Sequence, residues 1–169
     1  GAPHPLVAQA DPFIGVDKGG NIVPGAGVPF GFVHLSPDTT KHGTSGYRST
    51  EEIIGFSHTH VSGTGGASKY GNFLTTPIVG KLRTTDLGSP KAEETASPDY
   101  YSVMLARHGV QAELTATRLA GMHRYTFPPT KQAHILIDVS SVVRPGRRER
   151  PWSQKPLDCT VRVVAPNRF

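Results

Sequence analysis

From about residue 76 onward, apolar and polar positions alternate in short runs, the two-residue period of a strand with one face buried. The runs predict strands over 77–82, 100–105, 110–116, 122–127, 133–139 and 159–164, separated by Gly, Pro, Asp or Ser. Arg107-His108-Gly109 joins two alternating runs and reads as a short hairpin loop, with Gly109 supplying a positive φ. Such strands, spaced roughly 8–12 residues apart without a long helical pattern, predict a mostly β fold, an antiparallel β-sandwich. The last run would lack a partner strand. An open edge and an uncovered apolar face are features soluble proteins avoid, so the expectation is an incomplete sandwich, truncated or cleaved from a larger polypeptide.

The first 75 residues follow no such period. Residues 11–31, DPFIGVDKGGNIVPGAGVPFG, are too irregular for a helix and too interrupted for one regular strand. Residues 54–65, IGFSHTHVSGTG, combine two histidines with hydroxyls and glycines and hold almost no core-forming content after Phe56. Glycine gives up the most backbone entropy on ordering, and hydroxyls and imidazoles need partners when buried. A polar, glycine-dense run therefore suits a surface where a ligand approaches the backbone.

Composition sharpens this in few places. With 169 residues and 36% hydrophobic content the chain can build one domain and its core. Glycine and proline, 19 and 15 residues, favour a loop-rich β architecture. No apolar run approaches the ~18–20 residues of a membrane helix, so no membrane partner is expected. Cys159 stands alone, and a single cysteine leaves the compartment open. Ala8-Gln9-Ala10 has the A-x-A form of a signal-peptidase site without a signal segment before it. Residues 1–10 are read as a flexible lead and 11–169 as the domain.

The net charge of +5 lies wholly in the tail: residues 1–143 carry 11 Lys/Arg against 11 Asp/Glu, residues 144–169 carry 7 against 2. The run RPGRRERPWSQKP, 144–156, is broken by three prolines and cannot be a basic helix; it reads as a solvated loop. Its one aromatic, Trp152, falls short of the interleaved aromatics and cations of a nucleic-acid surface, so nucleic acid is not an expected partner.

The chemistry is sparse. Glu51 and Glu52, and again Glu93 and Glu94, are adjacent, so on an extended segment each pair points to opposite faces; the second pair reads as a polar loop. Asp11, Asp17, Asp38 and Asp138 sit among turn formers, which favours turn and cap hydrogen bonds over catalysis. His58 and His60, at i and i+2, would share one strand face about 7 Å apart, a spacing open to a metal bridge, a loop clamp or a ligand contact. No cysteine or H-E-x-x-H partner completes a zinc set. His123, in GMHRYTFP, is expected to pack against or cap a neighbour.

The strings DPFIG at 11–15, PGAGVPFG at 24–31, SPDT at 36–39, GFSHTHVSGTG at 55–65 and HRYTFP at 123–128 occur in order. Together they resemble the amino-terminal region of glycoside hydrolase family 92, whose members are calcium-dependent, inverting exo-α-mannosidases. The resemblance implies a β-sandwich packing on an (α/α)6 barrel absent here. The barrel would hold the acid, the base and the calcium ligands, so it places no catalytic or metal residue on this chain. Inversion needs two carboxyls roughly 6.5–9.5 Å apart around a water, which agrees with the absence of a carboxylate pair in the sequence.

On this reading the sandwich supplies one wall of a mannose pocket and the leaving-group subsite, through Gly19, Gly20, Asn21, Tyr47, Arg48, Ser57, His58, His60, Ser68 and Lys69. Backbone N–H groups of Gly19, Gly20 and Gly63, with the two histidines, would serve sugar hydroxyls. Two departures bear on substrate: Arg48-Ser49-Thr50-Glu51 follows Gly46-Tyr47 where relatives have a polar-aromatic and then acidic run, and residues 70–77 read YGNFLTTP where YGDILLMP-like strings are usual. A guanidinium near Ser68 and Lys69 would suit a phosphate-linked mannose cap, with a solvated Arg48 as the plain alternative. The expected partners are a mannose-containing glycan and the carboxy-terminal catalytic domain of the same protein, in a secreted or cell-surface bacterial setting. The competing reading is a stand-alone, non-catalytic carbohydrate-binding sandwich. Such modules usually display aromatic platforms, which one tryptophan does not provide. A purely structural interaction domain would not need the SHTHVSGTG segment.

Overall fold

In a computed structural model, residues 6–61, 70–143 and 158–165 are described. Among the described residues nine strands form two antiparallel sheets: β1 (Ala26–Gly27), β2 (His34–Thr39), β3 (Ile53–Ser57), β4 (Leu74–Val79), β5 (Lys91–Ser97), β6 (Tyr100–Leu105), β7 (Val110–Ala116), β8 (Gly121–Thr126) and β9 (Ala133–Asp138). One sheet runs β1-β2-β3-β4-β9 and the other is a plain meander, β5-β6-β7-β8. The sole helical element among the described residues is a 3-10 turn, Val7–Gln9.

Alternation builds the core between the sheets. Ala26, Val33, Leu35, Ile53 and Phe56 from one side meet Tyr101, Val103, Leu105, Val110, Ala112, Leu114 and Ala116 from the other. Phe56 bridges the gap, its ring centroid 6.4 Å from Tyr101 and 6.0 Å from Tyr125, within the range of favourable tilted pairs. The β6–β7 hairpin turns at Gly109 with φ +60°, as its sequence predicts.

Strands β6 and β7 fall on their predicted residues, and β8 and β9 within one. Four other readings are corrected. The run 77–82 is displaced to Leu74–Val79, because Gly80 takes φ +92° and ends the strand. No strand forms at 159–164: Val161, Val163 and Val164 are 62%, 71% and 52% exposed, and none of the described strands pairs with them. Glu93 and Glu94 lie not in a polar loop but in β5, across a bulge where the register shifts between Ala92 and Thr95 and Glu93 takes φ +50°. Residues 34–39 and 53–57, where no strand was predicted, form β2 and β3 in the larger sheet. The basic loop at 144–156, with Trp152, lies outside the described residues.

Candidate functional site

On β2, Leu35 faces the core, so Ser36 and Asp38 fall on the opposite face. Ser57 on β3 is directly across from Ser36 and shares that outer face. Loops cover it. Thr39 N–H donates to the Gly46 carbonyl, His58 N–H to the Asn72 carbonyl, Gly71 N–H to the Thr59 carbonyl and Val143 N–H to the Tyr70 carbonyl. Segments 40–50, 58–61, 70–73 and 139–143 are thereby laced over one polar face.

Beneath them lies a buried trio. Ser57 Oγ donates to Asp38 Oδ2 at 2.5 Å, His60 Nε2 donates to Asp38 Oδ1 at 3.0 Å, and Ser57 Oγ lies 3.2 Å from that nitrogen. His60 Nδ1 donates to the His34 carbonyl at 2.8 Å, so both ring nitrogens act as donors. The His60 side chain is fully buried and that of Asp38 5% exposed. Burial alone would lower the His60 pKa, but the Asp38 charge and hydrogen bond and the His34 carbonyl outweigh it, and the net direction is up. Gly46, φ +100°, keeps the trio closed: a Cβ there would lie 2.6 Å from Asp38 Oδ1. Asp38 is thus not the turn-former its SPDT context predicts, whereas Asp11 and Asp138 do cap their own turns, at Phe13 N–H and Ser140 N–H. The arrangement is a clamp rather than a nucleophilic triad, since serine and histidine both point at one carboxylate.

His58 goes elsewhere. Its Nε2 lies 3.3 Å from His123 Nε2, the rings 4.8 Å apart, and His123 Nδ1 is 2.8 Å from the Tyr125 hydroxyl. Leu114 and Tyr125 place His123 on the inner face of β8, so this pair closes one end of the gap between the sheets. Burial lowers the pKa of His58, and burial with the His58 charge lowers that of His123 to about 4. The two histidines of the SHTH motif therefore serve different partners and do not share a strand face, because β3 ends at Ser57 and the chain turns before His60. His123 packs on a neighbour as its strand position predicts.

Tyr47 is 1% exposed. Its hydroxyl donates to Glu94 Oε1 at 2.8 Å, Lys91 Nζ donates to that hydroxyl at 2.8 Å, and Tyr101 donates to the same Glu94 oxygen at 2.6 Å. Tyr47 is thus a strut from the 40–50 loop to the second sheet. Burial first, then Glu94, pushes its pKa up, keeping the phenol neutral.

The remaining candidates gather at a rim. Asn21, φ +53°, donates from Nδ2 to the Gly19 carbonyl at 3.0 Å, and Gly20 N–H is already given to the Asp17 carbonyl. A side chain at Gly43 would meet Asn21 Oδ1 at 2.9 Å and the Arg48 guanidinium at 3.7 Å, so these two groups flank Gly43. Ser49 donates through both N–H and Oγ to Asp17, tying the 11–21 loop to the Arg48 turn. Arg48 itself is exposed. Gly19, Gly20, Asn21 and Arg48 thus form one rim; Ser57 and His60 lie under it, joined to Tyr47 through Gly46; His58 sits apart. Ser68, Lys69 and Gly63 lie outside the described residues.

Sequence reasoning missed Thr44, Ser45 and Ser36, whose hydroxyls are buried and find no hydrogen-bond partner among the described residues. Buried hydroxyls are normally satisfied, and two of these occupy the loop between Gly43 and Gly46. Among the described residues no cluster of three or more His, Cys, Asp or Glu could hold a metal, and both Asp38 oxygens are committed. The described residues do not assemble a calcium site, since that hard cation takes six to eight oxygen ligands.

A two-sheet domain whose outer face is built over by glycine-bounded polar loops belongs among carbohydrate-active folds only by comparison, and the comparison is direct. Residues 9–168 match the Glycosyl hydrolase family 92 N-terminal domain, and the chain belongs to that family. A family GH92 alpha-mannosidase from Bacteroides thetaiotaomicron is 39% identical with a TM-score of 0.76, covering 82% of this chain and 21% of that one. Its structure in complex with mannoimidazole gives the same TM-score and identity. A second family glycosyl hydrolase, ccman5, is 27% identical with a TM-score of 0.71, over 80% of this chain and 20% of that one. An uncharacterized secreted glycosidase from Arthroderma benhamiae is 30% identical over 157 residues, 81% of this chain and 20% of that protein. The chain spans about a fifth of the length of these relatives.

Proposed function

We propose that this domain forms one wall of the mannose pocket, and the leaving-group side of it, in a calcium-dependent, inverting exo-α-mannosidase whose acid, base and calcium ligands reside in a following domain. The observation that carries the reading is the likeness to a mannosidase studied in complex with mannoimidazole, together with a polar rim at Asn21 and residues 43–47, neutral apart from the flanking Arg48. Neutral donors and acceptors suit sugar hydroxyls, and the unpartnered hydroxyls of Thr44 and Ser45 lie in that loop. The clamp beneath holds the rim in one shape, which is how a binding wall avoids an ordering cost when sugar arrives. The secreted fungal relative favours an extracellular protein, and no helix of the described residues is long and apolar enough to cross a membrane.

The test is hydrolysis of α-mannosides by the full-length polypeptide, with the product anomer followed by NMR and the reaction repeated in a calcium chelator. Release of β-mannose, lost in chelator, is expected; retention of the α-anomer or indifference to chelator refutes the corresponding part. Arg48, exposed on the rim, is proposed to read a phosphate-linked leaving group. Arg48→Ala should lower kcat/KM on phosphate-linked mannosides by about tenfold, the loss of one exposed charge-assisted contact, and leave neutral mannosides unchanged. An equal loss on both sinks the assignment.

A further inference from the structure

Away from the rim, two loops carry large apolar side chains into solvent. Phe30 is 97% exposed, Leu119 82% and Phe32 69%. They are not strays on slack loops. Phe32 and Val33 N–H both donate to the Arg118 carbonyl, at 2.8 and 3.4 Å, and Gly31 N–H donates to the Val28 carbonyl at 2.9 Å. Residues 28–33 and the turn at 117–120 are thereby one backbone-bonded ledge. Phe30 is held at φ +58°, a conformation that bulky residues seldom adopt and that persists where the surroundings over-determine it. On the other flank of the same loop, Leu6, Val7, Ala10, Val28, Pro29 and Pro98 line a groove of about 440 Å³. A built ledge of this kind, with Arg118 as its one charged residue, marks an interaction surface.

We propose that this ledge is the docking surface for the polypeptide that follows the amino-terminal domain in this family. The inference rests on the two-domain reading above and says where the second domain sits. Two observations select that occupant. The chain accounts for about a fifth of its relatives' length, so four-fifths of those chains must pack somewhere. The turn at 117–120 also leads directly into β8, where His123 meets His58. A body seated on Phe30, Phe32 and Leu119 therefore ends beside the partly buried His58, the candidate contact that stands apart from the rim. Two phenylalanines and a leucine also supply the large buried anchors that dominate stable interfaces.

Hydroxyl-radical footprinting of the full-length protein reads this side chain by side chain. Phe30 and Phe32 should oxidise no faster than Phe56, which is fully buried within the domain. The pair Phe30→Asp/Leu119→Asp, both at solvent-exposed positions of this domain, should restore oxidation of Phe32 and split one thermal transition into two. Oxidation of Phe30 and Phe32 at the rate of the urea-unfolded chain overturns the proposal. So does protection that disappears on dilution in step with a dimer-to-monomer change in sedimentation, which would assign the ledge to a second copy. Mannoside hydrolysis is measured on the same samples. A protected ledge on a protein inactive toward every mannoside leaves the docking intact and removes the mannosidase reading; an active protein with an exposed ledge does the reverse.

Discussion

The outer faces of the two sheets each carry a carboxylate met by a cation and a hydroxyl, and they differ in what lies above. On the larger sheet Asp38 meets His60 and Ser57 under a lid of loops. On the meander Glu113 accepts from Arg124 Nε and the Tyr100 hydroxyl, each at 2.6 Å, with the Arg124 side chain 72% exposed. The same chemistry has different consequences. In water the charges are screened and solvated whether or not they meet, so the Glu113 cluster decorates the surface. Under the loops each missing partner leaves a group that water cannot rescue, so the Asp38 cluster determines whether the loops lie down at all.

The largest test of this contrast removes the buried carboxylate. Asp38→Ala should cost about 3 kcal/mol, the low end for breaking a buried pair, because imidazole can shed its proton where a guanidinium cannot. Ser57→Ala, which strips one hydrogen bond from the carboxylate, should cost about 1–2 kcal/mol. Urea unfolding midpoints read both. Losses no larger than for exposed substitutions would show that the loops hold without their clamp.

Next comes pH, where the histidines act with opposite sign. His34 and His123 have folded pKa values lowered to about 4, chiefly by burial, against 6.5 in the unfolded chain. Between those values the unfolded chain takes up protons that the folded one refuses, so their contribution is present above pH 6.5 and lost as pH falls toward 4. At ~1.4 kcal/mol per pKa unit this amounts to about 3 kcal/mol for each histidine. His60, raised, contributes fully below its unfolded value and loses that contribution as pH rises through its folded one. Stability should therefore peak between the acid and alkaline limbs. His123→Gln should flatten the acid limb of a midpoint-versus-pH curve, and an unchanged limb would refute the assignment.

Legibility in the sequence followed cover more than sheet. The meander was readable because Tyr101, Val103 and Leu105 on β6, and Val110, Ala112, Leu114 and Ala116 on β7, alternate strictly against a covered inner face and an open outer one. In the larger sheet β9, with an open face, was read within one residue, whereas β2 and β3 were missed, because they are largely buried on both faces. β2 includes Pro37 and β3 includes Gly55, which the pattern rules demote, and two of the segments that cover Ser36, Asp38 and Ser57, 70–73 and 139–143, are distant in sequence. β5 was hidden by two glutamates, one of which turns inward to meet Tyr47 and Tyr101. The SHTH motif stood out in the sequence, but alternation put its two rings together, and only the end of β3 at Ser57 sends them to Asp38 and His123. Asp38 could not be paired with His60 in advance, since 22 residues and a covering loop separate them.

The smallest effect sharpens the contrast from the exposed side. Glu113 has its pKa lowered to about 2, first by the Arg124 hydrogen bonds and then by Tyr100. Because the Arg124 side chain is 72% exposed and no loop among the described residues covers the 17% exposed Glu113, solvent screens the pair and that shift should not appear as stability. Glu113→Gln is expected to leave the urea midpoint at neutral pH unmoved within scatter, while NMR titration of the wild-type carboxyl shifts from about 2 toward its ordinary value as salt is added. A midpoint drop matching that of Ser57→Ala would mean that partner chemistry, and not cover, decides what these clusters do. The two outer faces would then have to be treated alike.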